Sequence, residues 1–110
     1  MNDLEKRFEG YDFEIEIPDK ERFDPSVAIV EVKITTPRDG RRYSANVATR
    51  DYVPWVFKKN ERTGECDNGR WWGKPDNLLY VKEISRENVR TAINGAIKSL
   101  EIESYLTEID

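Results

Sequence analysis

Histidine is absent from this chain of 110 residues, and Cys66 is its only cysteine. Zinc sites take most of their ligands from those two residue types, and serine or cysteine nucleophiles are commonly activated by an imidazole. Neither arrangement can be assembled here, and no imidazole switch operates near neutral pH. Cys66 stands beside Glu65, Asp67 and Asn68, without the cationic neighbours that activate a thiol as a nucleophile. Long apolar runs are also missing. No stretch approaches the roughly 20 apolar residues that span a bilayer, and Met1 to Arg7 lacks the apolar core of a signal peptide. The expectation is a cytoplasmic protein without a membrane segment. Gly64, Gly69 and Gly73 are too scattered for a phosphate-cradling loop. Nothing points to a cofactor or a metal.

An excess of positive charge is lacking too, since 18 Lys and Arg stand against 22 Asp and Glu for a net charge of −4. That balance makes nucleic acid an unfavoured partner, because backbone phosphates are held by several cations. The average conceals a pattern. Residues 1–24 carry nine acids and four bases, 25–74 carry six and ten, and 75–110 carry seven and four. The ends are acidic and the middle basic, which reads as solvated faces distributed along the chain, with one acidic surface built from the first strand and the C-terminal segment as the alternative.

What is present reads as one domain over 1–110, large enough for its own core. Tyr11, Phe13, Ile15 and Ile17 alternate with Asp12, Glu14 and Glu16, which predicts a half-buried strand over 11–17 closed by Pro18. A hairpin is predicted over 27–48, turning at Pro37-Arg38-Asp39-Gly40. Its first strand is apolar at every even position, while its odd positions pass from Val27 and Ile29 to Glu31 and Lys33. One face is thus covered at one end only. An aromatic region follows over 52–77: a short helix from Tyr52 to Lys59 capped by Thr49 or Asp51, a loop over 60–69, and a short strand at Arg70-Trp71-Trp72. A last strand is expected over 78–84. Ser85 then caps a helix over 85–100, where Val89, Ala92, Ile93, Ala96, Ile97 and Leu100 form an apolar stripe. Gly95 in that helix suggests close packing on the sheet. The tail over 101–110 has its own helical phase and either docks on the domain or faces a partner. The fold class is therefore α+β: an antiparallel sheet of four to five strands with a C-terminal amphipathic helix packed on one face.

Two surfaces stand out. Asp12, Glu14 and Glu16 share one strand face, and Arg70, Trp71, Trp72 and Asp76 place tryptophan among charges. Glu14 and Glu16, about 7 Å apart on a strand, are close enough for a carboxylate pair, but acids opposite an apolar face are what solvent exposure alone produces. An enzyme is not expected. Tryptophan beside arginine is the material of protein-interface hot spots. With Lys74, the same residues also offer a stacking surface for single-stranded nucleic acid, which is the alternative.

The run from Val30 to Val47, then Thr49-Arg50-Asp51-Tyr52, Lys59-Asn60-Glu61-Arg62-Thr63-Gly64-Glu65, and Leu78 to Val89 leading into Ala92-Ile93, resembles a group of small bacterial proteins. Some of these are similar to immunity proteins that neutralise polymorphic or contact-dependent toxins. The resemblance covers residues 27–98, leaves the acidic strand and the tail outside, and transfers no functional residue. It implies an inhibitor that occludes a toxin. The residues expected to do so come from the charge and aromatic pattern of the chain itself, Asp12, Glu14 and Glu16 or the tryptophan loop, and the acids suit a basic toxin domain as partner.

Overall fold

A computed structural model describes residues 2–73 and 77–109. Lys74, Pro75 and Asp76 lie outside the described residues, so the expectations for Lys74 and Asp76 do too. Five strands form one sheet in the order β1 (Asp12–Glu16), β2 (Ile29–Thr36), β3 (Arg41–Thr49) and β4 (Leu79–Val81), with β5 (Thr107–Ile109) also on β3. The helices are α1 (Asp3–Arg7), α2 (Tyr52–Thr63), the single turn α3 (Glu65–Gly69), α4 (Arg86–Lys98) and α5 (Ile102–Tyr105). The class is α+β, as the alternation and the helical stripe imply.

The β2–β3 hairpin is the spine. Pro37 to Gly40 turn the chain, Gly40 at φ +66, and the strands pair from Ile29 opposite Ala48 to Thr36 opposite Arg41. β1 adds antiparallel to β2, with Phe13 opposite Ile34 and Ile15 opposite Val32. The far edge of β3 is divided between two short strands. β4 pairs parallel along Val47 to Thr49, and β5 pairs antiparallel along Arg42 to Ser44. Three pairings are therefore antiparallel and one is parallel. A parallel neighbour requires a crossover, and α2 and α3 lie within it.

One sheet face is apolar, carrying Phe13, Val30, Val32, Ile34, Tyr43 and Val47, and it packs against Phe8, the stripe of α4 and Ile102 of α5. Val89, Ile93, Ala96 and Ile97 are buried as the stripe predicts. Ser85 accepts the Asn88 N–H at 3.0 Å, and Glu87 sits in the first turn, where the helix dipole favours it. Two expectations for this helix need correction. It stops at Lys98, and Leu100, the last stripe position, is 59% exposed. The cause is a left-handed cap: Leu100 at φ +64 donates to Ile97 O at 3.2 Å, and Glu101 donates to Ala96 O at 2.9 Å. Gly95 is exposed, and a Cβ there would meet nothing within 4 Å, so it makes no close approach to the sheet.

Two short elements had no distinct signal. α1 is capped by Asn2, whose Oδ1 accepts the Glu5 N–H at 2.8 Å, and it delivers Phe8 to the core. β5 forms because Ile102 is wholly buried and returns the tail to β3. The tail thus docks on its own domain. No helix among the described residues is long and apolar enough to cross a membrane.

Candidate functional site

The outer sheet face carries Asp12, Glu14 and Glu16 on β1, opposite Thr35, Lys33 and Glu31 on β2. These acids do not form an open anionic surface. Lys33 Nζ lies 3.1 Å from Glu16 and 4.0 Å from Glu31, and an Arg86 amine lies 3.4 Å from Asp12. Arg86 also donates to Phe13 O at 3.0 Å and lies 4.3 Å over the Phe13 ring, while Asp12 accepts the Phe13 N–H at 2.9 Å. Both backbone groups of Phe13 are thereby engaged. Asp12 and Arg86 together blunt the exposed edge of β1. β1 and β5 do not share one acidic surface, since β2 and β3, with Lys33 and Arg42, stand between them.

The aromatic region is built differently from its sequence reading. α2 continues to Thr63, four residues past the expected end, because Asn60, Glu61 and Arg62 sustain the helix until Gly64 at φ +82 closes it and donates to Asn60 O at 2.9 Å. Pro54 lies in the first turn, where its missing donor is harmless. Asp51, not Thr49, stands at the N-cap position of α2. Thr49 Oγ1 instead accepts the Ala28 N–H at 3.1 Å, and Asp51 makes no side-chain cap bond.

Cys66, Asp67 and Asn68 follow at φ 53, 53 and 60, and Gly69 at φ +79. These left-handed residues fold the chain back onto α2. A Cβ at Gly69 would lie 2.7 Å from Glu61 Cγ and 2.8 Å from Phe57 O, so only glycine fits this approach. Arg70 to Trp72 are not a strand, as they have no paired neighbour. They leave the left-handed turn and run beside α2. Trp71 is 54% exposed and its Nε1–H donates to Asp67 Oδ2 at 3.0 Å. Trp72 is half-buried, edge-on to Tyr52 with centroids 5.6 Å apart, and Tyr52 lies 5.8 Å from Trp55, itself 43% exposed. A cluster of Tyr52, Trp55 and Trp72, flanked by Trp71, is thus held on one arm. Arg70 is exposed beside them.

Tyr52 and Trp55 also wall a hollow of about 310 Å³ whose other side is the β1–β2 connection, with Pro18, Phe23, Asp24 and Ile29. A second hollow of about 430 Å³ shares Pro18 and Ile29 with it and runs on to Glu16, Glu31 and Asn46. Together they make a groove across the end of the outer sheet face, where Val27 and Ile29 form the apolar end that the odd positions of the first hairpin strand predicted. The connection is pinned, since Pro25 O accepts the Ile84 N–H at 2.7 Å. Within it, Ser26 donates to Asp24 Oδ1 from its amide at 2.9 Å and its hydroxyl at 2.7 Å. These bonds hold the Asp24 carboxyl below its ordinary pKa and keep it ionised. Phe23 and Asp24 read in sequence as mere connection, since only the closure of the fold brings them to α2.

No family model matches the chain, and no curated protein or solved structure is detectably similar to it.

Proposed function

We propose that this chain is a protein-binding module, acting as an immunity-type inhibitor that covers a partner's surface with its aromatic arm. The observation that carries this reading is the pair of exposed tryptophans, Trp55 and Trp71, each held in place by a neighbour: Tyr52 at 5.8 Å and Asp67 at 3.0 Å. Large aromatic side chains exposed yet preorganised lose little freedom on binding and dominate interface energetics. The acidic strand carries less of the reading, because Glu16 and Asp12 already have cationic partners in the fold. Nucleic acid is less well supported as well. Residues 50–73 hold five bases and four acids, and Asp67 lies against the indole that would have to stack.

The test is co-purification from the producing cells with tagged wild type and a Trp55→Ser/Trp71→Ser double variant of unchanged circular dichroism. A single protein recovered in near-stoichiometric amount with wild type and lost from the variant supports the reading. Equal recovery by both refutes it.

A further inference from the structure

The groove between α2 and the β1–β2 connection has a chemical preference of its own. Four carboxylates line it, from Glu16, Asp19, Asp24 and Glu31, against two cations, Arg22 and Lys59. Three of the four already have cationic partners within the fold, Glu16 and Glu31 with Lys33 and Asp19 with Arg22 at 3.9 Å, while Lys59 is drawn out to Glu65 at 3.5 Å. Asp24 differs: its hydrogen bonds come from Ser26, both on Oδ1, and they orient the carboxylate without neutralising it. The same hollow is walled by Trp55 and Tyr52. A fixed carboxylate in one hollow with an exposed indole matches one side chain above others. The guanidinium of arginine is planar, stacks on an indole face, and bonds a carboxylate with two parallel N–H groups, whereas lysine offers only a point charge.

We infer that this groove accepts an extended, arginine-bearing segment of a partner protein, one guanidinium stacking on Trp55 and pairing with Asp24. The inference rests on the protein-binding reading and names the chemistry of the partner. The backbone of the segment runs over Pro18 and Ile29, where the two hollows join.

A nuclear magnetic resonance titration tests it with three acetylated and amidated hexapeptides, each of three dipeptide repeats: Arg-Pro, Lys-Pro and Glu-Pro. The proline keeps each probe extended. The Arg-Pro probe is expected to shift the Trp55 indole and the Phe23 and Asp24 amides. Its affinity should exceed that of the Lys-Pro probe at least threefold, with no response to Glu-Pro. Asp24→Asn and Trp55→Phe should each weaken it at least fivefold. Equal binding of the Arg-Pro and Lys-Pro probes overturns the inference, as do shifts confined to β1 or no shift at millimolar peptide. Failure here together with tryptophan-dependent co-purification would leave the protein-binding reading standing and reject only the arginine groove. Loss of both would reject the parent reading as well.

Discussion

Gly69 is where the arm can be broken with one atom. Alanine there would meet two difficulties. At φ +79 an L-residue carries a backbone penalty of about 1 kcal/mol or more. The added Cβ would also lie 2.8 Å from Phe57 O and 2.9 Å from Glu61 N, both backbone atoms of α2 that cannot rotate aside. Overpacking of this kind costs about 1–3 kcal/mol, so Gly69→Ala should weaken the turn's hold on α2 by about 2–4 kcal/mol. Gly40→Ala is the matched control, since Gly40 has φ +66 but nothing within 4 Å of its Cβ position; it should lose only the backbone part, about 1 kcal/mol. All three tryptophans, Trp55, Trp71 and Trp72, sit on the arm. Fluorescence therefore reports the arm, and far-ultraviolet circular dichroism reports the whole fold. In urea, Gly69→Ala should bring the fluorescence transition below the dichroism transition, with a red-shifted emission before unfolding. Gly40→Ala should move both transitions together. Equal, coincident shifts for the two variants would refute the close approach.

Other consequences are as direct. Leu100→Gly relieves a leucine held at φ +64 and removes an exposed apolar side chain; thermal unfolding should rise by roughly 4 °C, for about 1 kcal/mol gained. Arg86→Ala uncovers Phe13 and frees the β1 edge; it should destabilise by about 1–2 kcal/mol and add concentration-dependent association in sedimentation velocity, and an unchanged sedimentation profile would count against Arg86 blunting that edge. Asp24 and Asp39 are both held below their ordinary pKa, by Ser26 and by Thr36 as the leading partners. A depressed carboxyl contributes stability that is complete above its unfolded value and is lost as pH falls through the folded one, so that contribution should fade below about pH 4. Ser26→Ala should return the Asp24 titration, followed by carboxyl carbon shifts, toward the ordinary value, while Asp39 stays where it is.

Patterns of period two and 3.6 made the body of this fold legible, because β1, β2, β3 and α4 each bury a regular side against the core. The failures have physical causes. β5 is three residues of an acidic tail whose pairing depends on Ile102 reaching a core that only the assembled domain provides. Leu100 continues the apolar spacing but stands at a left-handed cap, which spacing cannot reveal. The loop expected over 60–69 contains helix, since Asn60 to Arg62 extend α2, and then a left-handed turn that composition hints at only through Gly64, Asn68 and Gly69. At the candidate site, Trp71 and Trp72 were visible as an adjacent pair beside Arg70, although the strand expected there does not form. Asp12, Glu14 and Glu16 were equally visible as a row of acids. The pairing of Glu16 with Lys33 and of Asp12 with Arg86 was not, because those partners lie 17 and 74 residues away along the chain. The groove itself joins the β1–β2 connection to α2, a contact that no local pattern encodes.

Hydrogen–deuterium exchange on the complex with the co-purified partner tests the recognition surface most directly. Protection on binding is expected at residues 22–29, 52–57 and 70–72, with β1 amides unchanged. Protection centred on Asp12 to Glu16, with the aromatic arm exchanging as in the free protein, would contradict the account.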